Sequence, residues 1–442
     1  MTESRKDTDL IMVVTSDIAG QLRGKAMPHS AREERSSIGV GWTPTNVFQT
    51  SLGPIADTPW GALGDLILRP DFSTLVDLKI PQYGVDECFV MGNVLTLDER
   101  RWECCLRGQL ASAVETLRRT HGLSVSAAFE HEFHYSGAEG QEGLGYSLEA
   151  LRRLGSFPNR LMDALNWAGL VPDTFSPEFG PAQCEVTVKP NEALRAADDA
   201  VVLREITRAV AVGLDARASF TPIVDPKTVG NGVHVHFSLF DLDGQPVDHD
   251  ARRPNGVSDK AGSFLAGVLK YMPDFLCMTA PSVASYMRLT PHRWSAAFNN
   301  LGVQDREAAV RICPVFKSGA DEDVSAKFHF EYRASDAAAS PYLLLAAIVR
   351  AGTSGLDEAL QPPQATGMDL TEAGEAELFE ISVSRLPGSL AEALDGLESS
   401  DWARSAFGDV LVDTYLRHKR CEVELMQDLS DDEICARYAA VY

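Results

Sequence analysis

The 442-residue chain lacks long apolar runs and is poor in basic residues. No stretch of 18 consecutive apolar residues occurs, whereas a membrane-spanning helix needs about 20. Lysine and arginine number 40 against 63 acidic residues, a formal net charge of -23, which argues against nucleic acid or an anionic membrane as a partner. The N-terminal segment also lacks the apolar core of a secretory signal. We therefore expect a cytoplasmic protein.

Paired CxxC motifs and glycine-rich phosphate-binding loops are also absent. The eight cysteines are scattered and form no CxxC pair, which is typical of reduced thiols in a cytosolic protein. Neither a GxxxxGK[ST] loop nor a GxGxxG loop is present. A nucleotide, if one is bound, would therefore be held by metal ions and arginines rather than by a glycine-rich cradle.

The pattern of elements predicts an α+β protein with a small N-terminal domain, residues 1–100, and a larger domain, residues 101–442. The N-terminal domain carries mainly strand signals: two strands around a turn within the first 28 residues, and further strands at 64–69 and 86–97. Residues 30–62, which are rich in Gly, Pro, Ser and Thr, are predicted to be a loop.

In the larger domain, strands separate stretches with helical apolar spacing. Helices are predicted at 105–120, 147–168, 192–214, 259–279, 340–359, 389–396 and 402–426. The polar, proline-containing residues 358–375 are predicted to form a surface loop.

Residues 123–135 alternate strictly between an apolar and a polar face, as expected for a half-buried strand. The polar face ends in Glu130 and Glu132, whose side chains would lie about 7 Å apart along the strand. Three further segments alternate in the same way: 183–189, 232–239 and 328–333. Their polar faces carry Glu185, His234, His236, Ser238, His329, Glu331 and Arg333.

In a single strand, a polar face of this kind is best explained by exposure to solvent. Four strands whose polar faces carry Glu, His or Arg predict a common site, provided that they lie in one sheet. Because clustered carboxylates repel one another without a cation, and no cysteine is among these residues, the set favours Mg²⁺ or Mn²⁺ over Zn²⁺.

Four arginines complete this pattern: Arg288, Arg306, Arg311 and Arg333. Fixed guanidinium groups beside divalent ions suit phosphoryl transfer and carboxylate recognition. Taken singly, each arginine could equally be a solvated surface charge.

Seven blocks then match one family in its order and approximate spacing: GDLILRPD, FEHEF, PEFGPAQCEV, GNGVHVHFSL, SYMRLTP, FEYRASDAAASPYL and LPGSLAEAL. The chain resembles the prokaryotic type I glutamine synthetases and their relatives that glutamylate other amines. The resemblance implies a β-grasp-like N-terminal domain and a catalytic domain with a curved antiparallel sheet flanked by helices. It also implies a homo-oligomer of stacked hexameric rings, a dodecamer, with active sites at subunit interfaces.

The implied reaction joins L-glutamate to ammonia or an amine through γ-glutamyl phosphate, with ATP as co-substrate and two or more Mg²⁺ or Mn²⁺ ions per site. By motif, one ion would lie between Glu132, Glu178 and Glu185, and another between Glu130, His234 and Glu331.

The resemblance also assigns substrate contacts. Glutamate would be held by Arg288 and Arg333, with Glu132 and the Gly230 backbone nearby. Arg306 and Arg311 would face the transferring phosphate and act in catalysis with Arg333, while His236 and Ser238 would line the nucleotide side.

The sequence departs from the family pattern at three places. The Asp-Gly-Ser-Ser stretch of ammonia-using members is absent, since no acid occurs between Glu34 and Asp57. Trp294 occupies the position of the flap glutamate that deprotonates ammonium, and His329 replaces an arginine on the nucleotide side. Ammonium binding needs negative charge and its deprotonation needs a base, whereas an indole suits an organic amine.

These departures predict a ligase for glutamate and a small organic amine, with Trp294 and Trp42 as candidates for the amine pocket. Another acid could instead replace the missing ones: Asp57, Asp305 or Glu307. Two other functions stay open, namely glutamine synthesis from ammonia and a catalytically idle homologue that binds nucleotide or glutamate.

Overall fold

A computed structural model describes residues 5–138, 140, 143–317, 319 and 323–442. Within these residues the N-terminal part forms a six-stranded sheet of order β2-β1-β6-β4-β3, with β5 also paired to β6. Strands β1 and β6 run parallel, and the other pairs are antiparallel. The strands are β1 (Leu10–Ser16), β2 (Leu22–Pro28), β3 (Val40–Trp42), β4 (Leu66–Pro70), β5 (Val76–Ile80) and β6 (Val85–Leu95).

One sequence prediction for this region was wrong, and one strand was missed. Residues 30–62 are not all loop, because they contain helix α1 (Arg32–Ile38) and the short edge strand β3. Strand β5 was not predicted, although its alternate residues Val76, Leu78 and Ile80 are buried. The sequence of helix α1, REERSSI, carries no apolar stripe that would indicate a helix, and none of its residues is buried.

The larger part is built on a sheet of order β16-β13-β14-β15-β12-β7-β9-β8, with β10 and β11 also paired to β7. Its central strands are antiparallel as predicted, whereas β13 runs parallel to β14 and β16. The described strands are β7 (Leu123–Tyr135), β8 (Pro172–Pro177), β9 (Gln183–Val188), β10 (Asn191–Glu192), β11 (Ala218–Ser219), β12 (Val233–Asp241), β13 (Leu301–Val303), β14 (Val310–Ile312), β15 (Phe330–Tyr332) and β16 (Ala365–Thr366).

Helices cover the apolar side of this sheet. Helix α8 is buried over most of its surface and packs against α2, α5 and α6. The described helices of this part are α2 (Leu106–His121), α3 (Leu148–Arg153), α4 (Phe157–Trp167), α5 (Ala193–Val212), α6 (Asp259–Thr279), α7 (Ser285–Arg288), α8 (Pro341–Asp357), α9 (Glu375–Glu380), α10 (Leu390–Ser399), α11 (Asp401–Phe407), α12 (Asp409–Met426) and α13 (Asp431–Val441).

Each stretch predicted to be helical contains a helix, with two corrections. The stretches 147–168 and 402–426 each contain two helices, interrupted near Gly155 and Gly408, which adopt φ values of +60° and +84°. Positive φ is readily adopted by glycine and ends a helix. Among the described helices, none is both long and apolar enough to cross a bilayer. The α+β fold class is confirmed.

Candidate active site

Strand register brings the predicted polar residues onto one face of the sheet. Along β7, buried and partly exposed residues alternate over all thirteen positions, with Glu130 and Glu132 on the more open face. His234 on β12 pairs directly with Glu130, and His236 pairs with Glu331 on β15. The convergence expected from side-chain alternation is therefore observed.

The first acidic group consists of Glu130, His234 and Glu331. His234 Nδ1 lies 2.7 Å from Glu130 Oε1 and 3.5 Å from Glu331 Oε1. One ligand atom from each residue lies within 4.8 Å of the other two, so the three could hold a single metal ion. The resemblance assigns this same trio to one metal.

Charges are unevenly distributed within this group. Burial raises the pKa of Glu331, but Arg333, His234 and His236 outweigh it and lower that pKa to about 2. Burial and the nearby Arg333 lower the pKa of His234 to about 4, which leaves the imidazole neutral. A buried carboxylate beside a neutral imidazole is a suitable donor set for a divalent cation.

The second acidic group is Glu132, Glu178 and Glu185. Glu132 pairs directly with Glu185 across β7 and β9, and all three line one cavity. Like charges facing each other across a sheet are unfavourable. Burial, opposed by Arg288, raises the pKa of Glu132 to about 7, and burial together with the neighbouring glutamates raises that of Glu185.

Two members of the second group, Glu132 and Glu178, have other polar partners. Glu132 accepts a hydrogen bond from the Gly232 amide at 2.5 Å, and Glu178 accepts one from the Tyr146 hydroxyl at 2.5 Å. Within the described residues, this trio does not reach the mutual 4.8 Å spacing seen for Glu130, His234 and Glu331. A cation would offset the burial and the repulsion that raise these pKa values, so the donors fit a metal that draws them together.

Arg288 and Arg333 line the same cavity and are almost fully buried. Arg288 donates to the Ser335 carbonyl at 3.1 Å, and Arg333 donates to Glu331. Gly230 permits this packing, because a Cβ atom there would lie 2.7 Å from Arg288 Cγ. Both arginines are thus fixed in place, as carboxylate recognition requires.

The other two predicted arginines also line this cavity. Arg311 donates to Glu331 at 2.8 Å, while Arg306 is exposed and its backbone carbonyl accepts a hydrogen bond from Arg333. The cavity has a volume of about 470 Å³ and contains all six predicted metal ligands.

A second cavity of about 580 Å³ opens on the other side of His236, which lines both spaces. Ser238, His329 and Phe316 also line it. The predicted nucleotide-side residues His236 and Ser238 are therefore brought together.

Trp294 lies in a loop at the mouth of the first cavity and is 46% exposed. Its ring packs edge-on against Phe179, with the ring centroids 5.0 Å apart. Trp294 adopts a φ of +53°, and its backbone N–H donates to Glu307 at 3.2 Å. Glu307 also accepts a hydrogen bond from the His292 N–H at 3.1 Å, so its carboxylate anchors this loop.

The remaining candidates lie elsewhere. Trp42 is 9% exposed and packs in the N-terminal core with Leu66 and Leu68, so nothing in the single chain supports a place for it in an amine pocket. Asp57 is paired with Arg417 on the surface. Asp305 lines a separate cavity beside the Trp294 loop, together with Glu307.

Sequence reasoning did not single out five residues that line this cavity: Tyr146, Phe179, Gln183, Val229 and Arg293. Phe179 and Gln183 lie between Glu178 and Glu185 in the segment PEFGPAQCE. Their position between two predicted metal ligands could have indicated that they line the site. Arg293 donates to the carbonyls of Pro226 and Thr228, contacts that only the folded chain creates.

Sequence profiles decide the family. The N-terminal domain profile of glutamine synthetase matches residues 2–102, and its catalytic domain profile matches residues 103–438. The chain belongs to the glutamine synthetase family. It is therefore a carbon–nitrogen ligase of that family, whose members use ATP, divalent metal ions, glutamate, and ammonia or an amine.

Relatives in this family differ in their named products. The chain is 31% identical to a gamma-glutamylpolyamine synthetase of Streptomyces coelicolor, over 98% of this chain and 93% of that protein. It is also 31% identical to a glutamine synthetase of Thermococcus kodakarensis, over 90% and 86% of the respective chains. A solved glutamine synthase homologue superposes with a TM-score of 0.89 at 38% identity over the full length of both chains.

Proposed function

We propose that this glutamine synthetase family member is a glutamate–amine ligase, which forms a γ-glutamyl amide from L-glutamate and a small organic amine with hydrolysis of ATP to ADP and phosphate. The supporting observation is the exposed Trp294–Phe179 pair at the mouth of the cavity, where the family pattern has an acidic flap residue. An aromatic surface favours an organic amine through apolar and cation–π contact.

Glutamate is proposed to bind with its α-carboxylate against Arg288 and Arg333, whose buried guanidinium groups are held in fixed orientations. Its γ-carboxylate then points toward the open part of the cavity. Because the two guanidinium groups are already fixed, glutamate is held in one orientation before the reaction begins, which lowers the entropic part of the barrier.

In the first step, a γ-carboxylate oxygen attacks the γ-phosphorus of ATP, and the bond to ADP breaks. Arg306 and Arg311 line the cavity where this charge develops and would stabilise it. Divalent ions held by the two acidic groups would neutralise phosphate charge when bound.

In the second step, the amine nitrogen attacks the carbonyl carbon of γ-glutamyl phosphate, phosphate leaves, and the nitrogen loses a proton. An alkylamine is largely protonated at neutral pH and needs a base, whereas an arylamine is already neutral. Phe179 and Trp294 would shield the intermediate from water while the amine enters.

Two observations favour other readings. The archaeal relative is named a glutamine synthetase, and its identity to this chain is the same 31% as that of the polyamine relative, over 90% of the chain against 98%. An idle homologue is supported only by His329 in the place of an arginine, whereas the retained glutamates and arginines argue against idleness.

A substrate panel distinguishes these functions. Phosphate release would be measured with ATP, Mg²⁺ or Mn²⁺, glutamate, and one acceptor at a time: ammonia, alkylamines, ethanolamine, polyamines or anilines. We expect glutamate-dependent release that is greatest with one of the organic amines. Greatest release with ammonia would favour glutamine synthesis, and measurable nucleotide binding without release would favour the idle homologue.

A further inference from the structure

A second cluster of metal-binding side chains lies beside the predicted magnesium ligands. His236, Cys313 and His329 each offer one ligand atom, and these atoms all lie within 4.8 Å of one another. The His236 and His329 rings are 5.3 Å apart between centroids, and Cys313 Sγ lies 3.9 Å from His236 Nδ1. Three different strands or loops supply these residues, so the fold itself creates the cluster.

The donor set differs in kind from that of the acidic groups. It contains one thiol and two imidazoles, whereas the acidic groups contain five carboxylates and one imidazole. A thiolate with two imidazoles is typical of Zn²⁺ and other borderline or soft ions, and oxygen donors are typical of Mg²⁺.

A ring nitrogen of each histidine lies near an oxygen atom, although only that of His329 is within ordinary hydrogen-bond distance. His329 Nδ1 lies 2.8 Å from the Lys327 carbonyl, which fixes Nε2 as the free ligand atom when Nδ1 carries the proton. His236 Nε2 lies 3.5 Å from Glu130 Oε2, while Nδ1 points to Cys313. Metal-bound histidines commonly donate their other N–H to a carbonyl or a carboxylate in this way.

The cysteine lies inside the fold and not on its surface. Cys313 is buried, and its thiol Sγ also lies 3.7 Å from Glu331 Oε2. The thiolate is the form that binds metal. No other group of three His, Cys, Asp or Glu residues in the described chain combines a thiol with imidazoles at this spacing.

We propose that His236, Cys313 and His329 form a separate site for a thiophilic divalent cation, Zn²⁺ in the first instance. Three protein ligands leave one tetrahedral position open. Both histidines line the cavity on the nucleotide side, so water or a phosphate oxygen completes the coordination there. The site is independent of which amine the enzyme uses.

Co²⁺ can be used in place of Zn²⁺, because its absorption spectrum shows which atoms bind it. Cobalt bound to a thiolate has a charge-transfer band that oxygen and nitrogen ligands do not produce. The full-length protein would be titrated with Co²⁺ and then with Zn²⁺, with excess Mg²⁺ present to occupy the carboxylate groups. We expect a thiolate band at one equivalent of Co²⁺ per chain, and its loss when Zn²⁺ is added.

Variants assign the band to the cluster. Cys313→Ser should abolish it, and His329→Ala should weaken Co²⁺ binding at least about tenfold. Cys421→Ser, at a half-buried cysteine outside the cluster, should leave it unchanged. Thermal unfolding of each variant would show that the fold is retained.

The proposal is overturned by any of three results: no thiolate band in the unmodified protein, a band that persists in Cys313→Ser, or Zn²⁺ binding without thiolate coordination. In the first case, the cysteine and histidines would only contact one another, without a bound metal.

Discussion

Glu130 and His234 face each other across β7 and β12, and Glu130 Oε1 lies 2.7 Å from His234 Nδ1. This pair joins the two acidic groups, since Glu130 and Glu132 belong to the same strand face. A cation bound at one group therefore acts on the charges of the other.

Glu132→Ala is expected to abolish ligase turnover, with a loss of more than about a hundredfold. The substitution removes a carboxylate from the face that the family pattern assigns to metal and glutamate. Phosphate release at saturating ATP and glutamate measures the effect, and circular dichroism checks the fold. Glu149→Ala, on the exposed surface of α3, provides a control, and full activity of Glu132→Ala would refute the metal assignment.

Stability without divalent ions is expected to fall as pH rises from about 4.5 to about 7. Because the folded pKa of Glu132 is raised to about 7, folding favours its protonated form. That contribution is complete below the ordinary glutamate pKa and is lost as pH rises through the folded value. Melting temperatures across this range measure it, and Glu132→Gln should flatten the dependence.

Mg²⁺ or Mn²⁺ should reverse this trend. A divalent ion binds the ionised carboxylates, so its stabilising effect should be larger at pH 8 than at pH 5. The increase in melting temperature on adding each ion measures the effect. An equal increase at both pH values would contradict the proposed binding to these carboxylates.

Trp294→Glu is expected to lower kcat/KM for the organic amine about tenfold, in keeping with the energy of an aromatic contact, and to raise activity with ammonia. The change restores an acid at the flap position. Trp167→Glu, another partly exposed tryptophan on a different surface, is the matched control. If ammonia activity does not rise, Trp294 does not occupy the flap position.

Glu307→Ala is expected to reduce activity with every amine, because Glu307 accepts hydrogen bonds from the His292 and Trp294 backbones and thereby positions the loop. A base would behave differently, since its loss would affect protonated alkylamines and spare neutral anilines. Rates would be measured with both classes of amine at roughly pH 6–9. A loss with both classes indicates that Glu307 positions the loop, and a loss with alkylamines alone indicates a base.

Much of the site was predictable because side-chain alternation in a strand is a local property. Residues 123–135 were predicted as a strand with Glu130 and Glu132 on its polar face, and β7 has those bounds. The arginines came together as expected, since Arg288, Arg306, Arg311 and Arg333 line one cavity.

Other features depend on contacts between distant segments and leave no periodic signal. Cys313 reads as an ordinary buried cysteine until the fold brings it beside His236 and His329. Phe179 and Trp294 lie far apart in sequence and pack only in the folded chain. By contrast, α13 was missed although Ser430 and Glu433 form a capping box that indicates a helix start.

Competition between acceptors tests the central claim most directly. The enzyme would be given glutamate, ATP, Mg²⁺, and equal concentrations of ammonia and the best organic amine from the panel, and the products would be identified by mass spectrometry. The proposed function predicts mainly the γ-glutamyl amide of the organic amine, with one ADP formed per amide. Glutamine as the main product would contradict it.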